Sequence, residues 1–230
     1  MTKAAALLGL MVCGALTLGC SRKSQTVPGG SEPMNSSLAA APAAPAKLES
    51  AKLGVTAPDF ELPDLDGKLI KLSSFRGKTV VLEWFNPGCP FVRASHTKGS
   101  LVDTAARHQK NGVVWLAINS GAKGKQGHGV EANLEGKQRF SLPHPILLDE
   151  TGTVGRAYAA AHTPHMFVID PKGVLVYRGA IDNSPDAEGE SPTGGKLINY
   201  VDTAVAEVAA GKPVATPETE AYGCSVKYQM

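Results

Sequence analysis

The sequence predicts an α/β fold with a mixed central sheet flanked by helices. Three observations lead there: strand-like and helix-like segments alternate along residues 51–212, one strand segment is apolar on both faces, and the series closes with a hairpin and an amphipathic helix. Residues 60–63 and 69–72 flank the turn signal Asp66-Gly67 and form a small hairpin. Ser73-Ser74 adds a brief helical turn. Residues 79–85 are β-branched and aromatic almost throughout, as a strand buried on both sides must be. That strand stops at Asn86-Pro87-Gly88, and residues 90–110 read as one helix ended by Asn111-Gly112.

Residues 113–118 form a second core strand, 131–140 a helix, 146–148 a short strand and 151–160 another helix. Residues 166–169 and 174–178 are strands joined by a turn at Pro171-Lys172-Gly173. The last helix spans 196–210, with Leu197, Tyr200, Val201, Val205 and Val208 spaced by three and four on its apolar face. A Pro-, Gly- and acid-rich loop fills 182–195, and the tail after Lys212 shows no periodicity.

The first fifty residues read as targeting and tether. Lys3, the apolar residues 4–18 and Gly19-Cys20 are ordered like a secretory signal that ends at a lipidation site. The stretch is shorter than the ~20 apolar residues of a spanning helix. Leu16-Thr17-Leu18-Gly19-Cys20 resembles a bacterial lipobox, which implies cleavage before Cys20 and lipid on that cysteine. Thr17 stands where a branched apolar residue is usual, so an ordinary signal peptide and an uncut anchor stay open as alternatives. Residues 21–50 are rich in Ser, Pro, Ala and Gly with little to bury, and form a disordered tether. As flexible coil it reaches roughly 30 Å. The domain would thus hang from a membrane in the cell envelope, outside the cytoplasm.

Residues 51–212 suit one domain, and 213–230 form its tail. The net charge of +2 is spread without a basic run, which argues against a nucleic-acid partner. Four cysteines are present; Cys13 would leave with the signal and Cys20 would carry lipid, so the mature domain keeps Cys89 and Cys224. In an oxidising compartment that pair can form one disulfide.

Cys89 follows a core strand and a turn and opens a helix. Pro90 suits the first helical position, which makes Cys89 the N-cap, with backbone N–H groups and the positive end of the helix dipole aimed at its sulfur. That placement favours the thiolate, which is the nucleophilic form. A buried structural cysteine is the plainer alternative.

Residues 80–92, with Ala57-Pro58-Asp59-Phe60 upstream and residues 163–170 downstream, resemble the redoxin branch of the thioredoxin superfamily over about 53–210. The peroxiredoxin-like members with a Cys-Pro-Phe-Val core are most similar in character, and they often end in Gly-Cys-Ser-hydrophobic-Lys, here residues 223–227. The resemblance implies a thioredoxin-like three-layer sandwich with an N-terminal β-hairpin extension. It also implies thiol-disulfide exchange with protein or small-molecule disulfides and thiols, and a membrane or periplasmic electron donor. Thioredoxin uses Cys-x-x-Cys, whereas Val92 takes the second place here. Cys224 is then the one intramolecular thiol able to resolve a mixed disulfide on Cys89; a free or intermolecular thiol on a loose end is the alternative.

In the same family a buried acid at the place of Glu83 handles protons, and burial would raise its pKa so that it takes the thiol's proton near neutrality. A rim carboxylate paired to a lysine is its alternative. Thr163-Pro164 matches the cis-proline loop that faces the cysteine and pairs with a substrate strand. Trp84, Asn86, Pro90 and Phe91 would line the rim of that substrate site. His96, His128, His162 and His165 show no metal-ligand spacing with Cys89, so neither metal nor cofactor is expected. A peroxide reductase working through a Cys89 sulfenate and a non-catalytic copper-binding module on the same fold are the other readings.

Overall fold

The structure is a computed structural model that describes residues 48–229. The predicted signal, the lipidation site Cys20 and nearly all of the tether lie outside the described residues. Strands β1 (Glu61–Pro63) and β2 (Leu69–Lys71) pair antiparallel as the predicted hairpin, and a 3-10 turn at Leu72–Phe75 follows. The central sheet contains β3 (Val80–Trp84), β4 (Val114–Asn119), β5 (Ile146–Leu148), β7 (His165–Ile169) and β8 (Leu175–Gly179) in the order β5-β4-β3-β7-β8. β3 runs parallel to β4, as β4 does to β5, while β7 is antiparallel to both β3 and β8. This is the mixed sheet of a thioredoxin-like fold.

β3 is buried along its whole length because both faces of the sheet are covered. Val80, Leu82 and Trp84 meet Phe60, Leu72 and Tyr158 on one side. Val81 meets Trp115, Met166 and Val168 on the other, beneath α2 (Thr104–Lys110) and α5 (Tyr200–Ala209). Near the end of β3, Phe85, Val92, Ala117 and Phe140 form a third cluster under α1 (Pro90–Thr97) and α3 (Val130–Arg139). Among the described residues no helix is long and apolar enough to cross a membrane.

Three helices depart from expectation. Residues 90–110 are two helices, α1 and α2, because the backbone of the 182–195 loop crosses at Gly99. A Cβ on Gly99 would lie 2.1 Å from the Ala187 carbonyl oxygen, and Ser100 turns its hydroxyl onto the Asp182 carboxylate. α4 covers only Thr153–Ala157, since Ala159 takes φ +52° and turns the chain into the next strand. α5 begins at Tyr200 because Asn199 caps it, accepting from the Asp202 N–H at 2.9 Å. The preceding residues instead satisfy Asn183, whose side chain bonds Lys196 O and Ile198 N, and Leu197 is left 42% exposed.

Among the described residues, the aperiodic tail is tied to the domain at several points. Arg178 N donates to Pro217 O and Thr219 N donates to Arg178 O, and the Arg178 side chain pairs with Glu218 at 2.7 Å. Cys224–Ser225 is a strand, β9, antiparallel to β6 (His162–Thr163) in the register Thr163↔Cys224. Val226 is buried against the core, which contributes roughly 1.5–3 kcal/mol. Tyr228 lies on Gly152 and Gly155 beneath Arg156 and donates to Ala160 O at 2.7 Å.

Gly223 lets β9 come this close. Its φ is +125°, and a Cβ there would sit 2.4 Å from Thr163 O, so a side chain would push the strand off its partner. Gly223→Ala is expected to destabilise the protein by about 1–3 kcal/mol in urea unfolding. An unchanged midpoint together with unchanged proteolysis of the tail would count against this packing.

Candidate active site

The turn after β3 sets Cys89 in place. Asn86 Oδ1 accepts from Gly88 N at 2.9 Å, Cys89 N donates to Asn86 O at 3.0 Å, and Pro90 is the first residue of α1. Cys89 is the N-cap, as predicted, but its side chain makes no capping bond. Its sulfur instead donates to Thr163 O at 3.0 Å and lies 2.6 Å from the sulfur of Cys224. Both cysteines are free thiols, Cys89 fully buried and Cys224 half-buried.

The two sulfurs meet across 135 residues because β9 lies on the edge of β6. Burial pushes the Cys224 thiol up to about 11, and the hydrogen bond and charge of Cys89 add to that; Lys227 and the Phe91 amide pull the other way. Cys224 therefore keeps its proton at neutral pH. The arrangement can close to a disulfide with little movement of either strand or helix.

Glu83 is fully buried, but its pKa is lowered where the sequence led us to expect a raised one. Burial alone pushes it up; the charge and hydrogen bond of His96, with His144 and Trp115, outweigh that. Oε1 meets His96 Nε2 at 2.7 Å and Oε2 accepts from Trp115 Nε1 at 3.0 Å. Both oxygens are thus engaged away from the thiols, and Glu83 clamps α1 to the sheet through His96.

His96, Trp115 and His144 are members of this cluster that the sequence reading did not assign to it. The spacing of Val92, Ser95 and His96, all on the buried face of α1, was the available signal. Both ring nitrogens of His144 are buried without a hydrogen-bond partner among the described residues. Burial lowers its pKa to about 4, helped by His96 and Lys137 and opposed by Glu83.

The residues predicted for the rim divide. Phe91 is half-buried beside Tyr222, their rings 6.5 Å apart, and Pro90 is exposed, so both face the site. Thr163 and Pro164, joined by a cis peptide, are buried beneath the tail. Trp84 is not at the rim: it is fully buried against Tyr158 and Phe167 and donates to Ser120 Oγ at 3.0 Å. Asn86 is likewise buried, holding the turn and donating to Gln126 O at 3.2 Å. Tyr222, which carries no local sequence signal, anchors the tail by donating to Asp182 Oδ1 at 2.7 Å.

A cysteine capping a helix after the central strand, facing a cis-proline strand on a mixed sheet of this order, defines a thioredoxin-like domain. The Redoxin family pattern matches residues 52–195, and the chain belongs to the Redoxin family. It is similar to the thiol-disulfide oxidoreductase ResA of Geobacillus thermodenitrificans, 36% identical over 123 residues, and spans 53% of this chain and 65% of that relative. A hypothetical protein of Sinorhizobium meliloti 1021 superposes with a TM-score of 0.67 at 30% identity, covering 79% of this chain and 97% of the other. An uncharacterized conserved protein of Geobacillus kaustophilus gives 0.67 at 29% identity, covering 79% and 95%.

His144 gives a pH prediction with a defined sign. Its folded pKa near 4 lies below the ordinary 6.5, so the unfolded chain binds the proton more readily. Its contribution is fully present above pH 6.5 and is lost as pH falls through 4. His144→Leu is expected to remove up to about 3 kcal/mol of the acid-dependent loss in that window. Urea unfolding of both proteins at a series of pH values checks this, and parallel pH curves would refute it.

Proposed function

We propose that this protein is a thiol-disulfide oxidoreductase whose Cys89 and Cys224 interconvert between dithiol and disulfide. The observation that carries this reading is the 2.6 Å approach of two thiols 135 residues apart in the chain. Family membership supports it, as does the similarity to a relative named for this activity. Phe91 and Pro90 frame the site that a partner disulfide or thiol reaches, with Thr163-Pro164 beneath the tail.

We infer that it works outside the cytoplasm. The signal-like residues 1–20, with lipid on Cys20, and the tether 21–50 would hold domain 51–212 and tail 213–230 near a membrane. A disulfide-permissive compartment suits a redox pair of this kind. Turnover as a reductase then draws electrons from a membrane or periplasmic donor.

Mass spectrometry of the protein equilibrated in glutathione redox buffers tests the pair. We expect a single Cys89–Cys224 disulfide that titrates as one two-electron couple, and loss of disulfide reduction in both Cys89→Ser and Cys224→Ser. Failure to form that bond at any poise would end the reading, and turnover of peroxide in place of disulfides would redirect it to peroxide reduction.

Oxidation should also stabilise the fold. Joining residues 135 apart constrains the unfolded chain, and for a loop of this order the gain is about 4.7 kcal/mol. Urea unfolding of oxidised and reduced protein measures the difference. Equal midpoints would show that the two sulfurs do not bridge in solution.

A further inference from the structure

Resting on the Cys89–Cys224 couple above, we infer that β9 sits in its partner's place. The partner is a protein that presents its disulfide on an extended segment, in the order aromatic, glycine, cysteine, and takes the β6 edge as the tail leaves it. Three observations carry this.

The first is cover. Cys89 has no exposed surface, and its sulfur lies against Thr163 O and the sulfur of Cys224. Of these two neighbours Cys224 is the one on a short terminal strand, so a partner sulfur reaches Cys89 when β9 leaves β6. The second is what that departure uncovers. His162 and Thr163 are left with the edge that Cys224 and Ser225 now pair with, and a bare strand edge takes up another extended segment. The third is the fit of the present occupant. Cys224 lies opposite Thr163 with its sulfur 2.6 Å from that of Cys89, which is where a partner's reacting sulfur has to come. Gly223 has no room for a Cβ against Thr163 O, and the ring of Tyr222 lies 6.5 Å from that of Phe91. A segment that replaces the tail meets the same carbonyl and the same ring, and is held to the same order of residues.

The exchange runs in two steps. The Cys89 thiolate attacks the partner sulfur on the β6 edge; the Cys89–partner bond forms, the partner's disulfide breaks, and its second sulfur leaves with the electron pair. β9 then returns, and the Cys224 thiolate attacks Cys89 Sγ, forming the Cys89–Cys224 bond and expelling the partner's first sulfur. The partner is reduced, the pair is oxidised, and the two protons given up by Cys89 and Cys224 end on the partner's thiols. At rest, burial and the hydrogen bond and charge of Cys89 push the Cys224 thiol up to about 11. Once Cys89 is bonded to the partner, that hydrogen bond and charge are gone, while Lys227 still favours the thiolate of Cys224.

The test uses full-length Cys224→Ser and a peptide of residues 220–227 whose cysteine carries a pyridyl disulfide. Thiopyridone release gives the rate, and mass spectrometry of the digest separates the adduct on Cys89 from any on Cys13 or Cys20. A peptide with Gly223→Ala should react with Cys89 at least about tenfold more slowly than the parent peptide. One with Tyr222→Ala should be slower by at least about threefold. Equal rates for the three peptides overturn the inference. In a second arm Tyr222→Phe or Tyr228→Phe is added to the Cys224→Ser chain, which removes one tail hydrogen bond, to Asp182 or to Ala160 O. The parent peptide should then react at least about threefold faster, because the tail leaves more readily. An unchanged rate in both variants also overturns the inference, and the peptide series decides alone if either variant fails to fold. A Cys89–Cys224 bond that forms in redox buffer of the parent chain while the peptides go undiscriminated defeats this inference only. Absence of that bond defeats the couple on which it rests.

Discussion

The site depends on one contact, the antiparallel pairing of β9 with β6. Without it, Cys224 is a residue of a terminal tail and Cys89 lies open at the head of α1. With it, two sulfurs separated by 135 residues face each other beside Thr163. The pairing itself is only two residues long, too short to persist alone. It holds because the chain is tied down on either side, by the Arg178–Glu218 pair and Tyr222 upstream and by Val226 and Tyr228 downstream. Glycines at 152, 155 and 223 leave the room that the tail needs, since a Cβ at each would lie 2.4–2.6 Å from a tail or partner atom.

A second constraint lies beneath. A carboxylate inside a central strand is a costly choice, because burying such a charge carries a penalty of several kcal/mol even after relaxation. Here Glu83 is offset on both oxygens, by His96 from α1 and by Trp115 from β4. The Glu83–His96 contact therefore links the strand that precedes Cys89 to the helix that follows it. The carboxylate supplies rigidity between these elements, and its partners hold its pKa low against the upward push of burial.

Much of this was legible in the sequence where the signal is local. The apolar run of β3, the Asp66-Gly67 hairpin and Pro90 after Cys89 are short-range patterns, and each appears where predicted. What escaped is set by distant contacts. Gly99 breaks a helix only because Ala187 crosses it, and nothing near residue 99 announces that approach. Trp84 looks like a rim aromatic from its nearness to Cys89, yet strand alternation turns it to the opposite face, onto Tyr158. The tail lacks periodicity because it makes a series of unlike contacts, one pocket or carbonyl at a time. Its glycine and tyrosines carried the information, but only the fold shows what they touch.

The same anchoring decides how exchange at the pair can proceed. A tail held at one point could swing Cys224 away and leave Cys89 open to a partner. A tail held on both sides of the cysteine must lose several independent contacts at once for that, and contacts joined through one short segment reinforce one another as linked binding sites do. Local opening of this size draws on much of a domain's stability, which totals only about 5–15 kcal/mol. A partner strand that takes the same edge offsets that cost as the tail leaves. The stability of the strap and the choice of partner are then a single physical question.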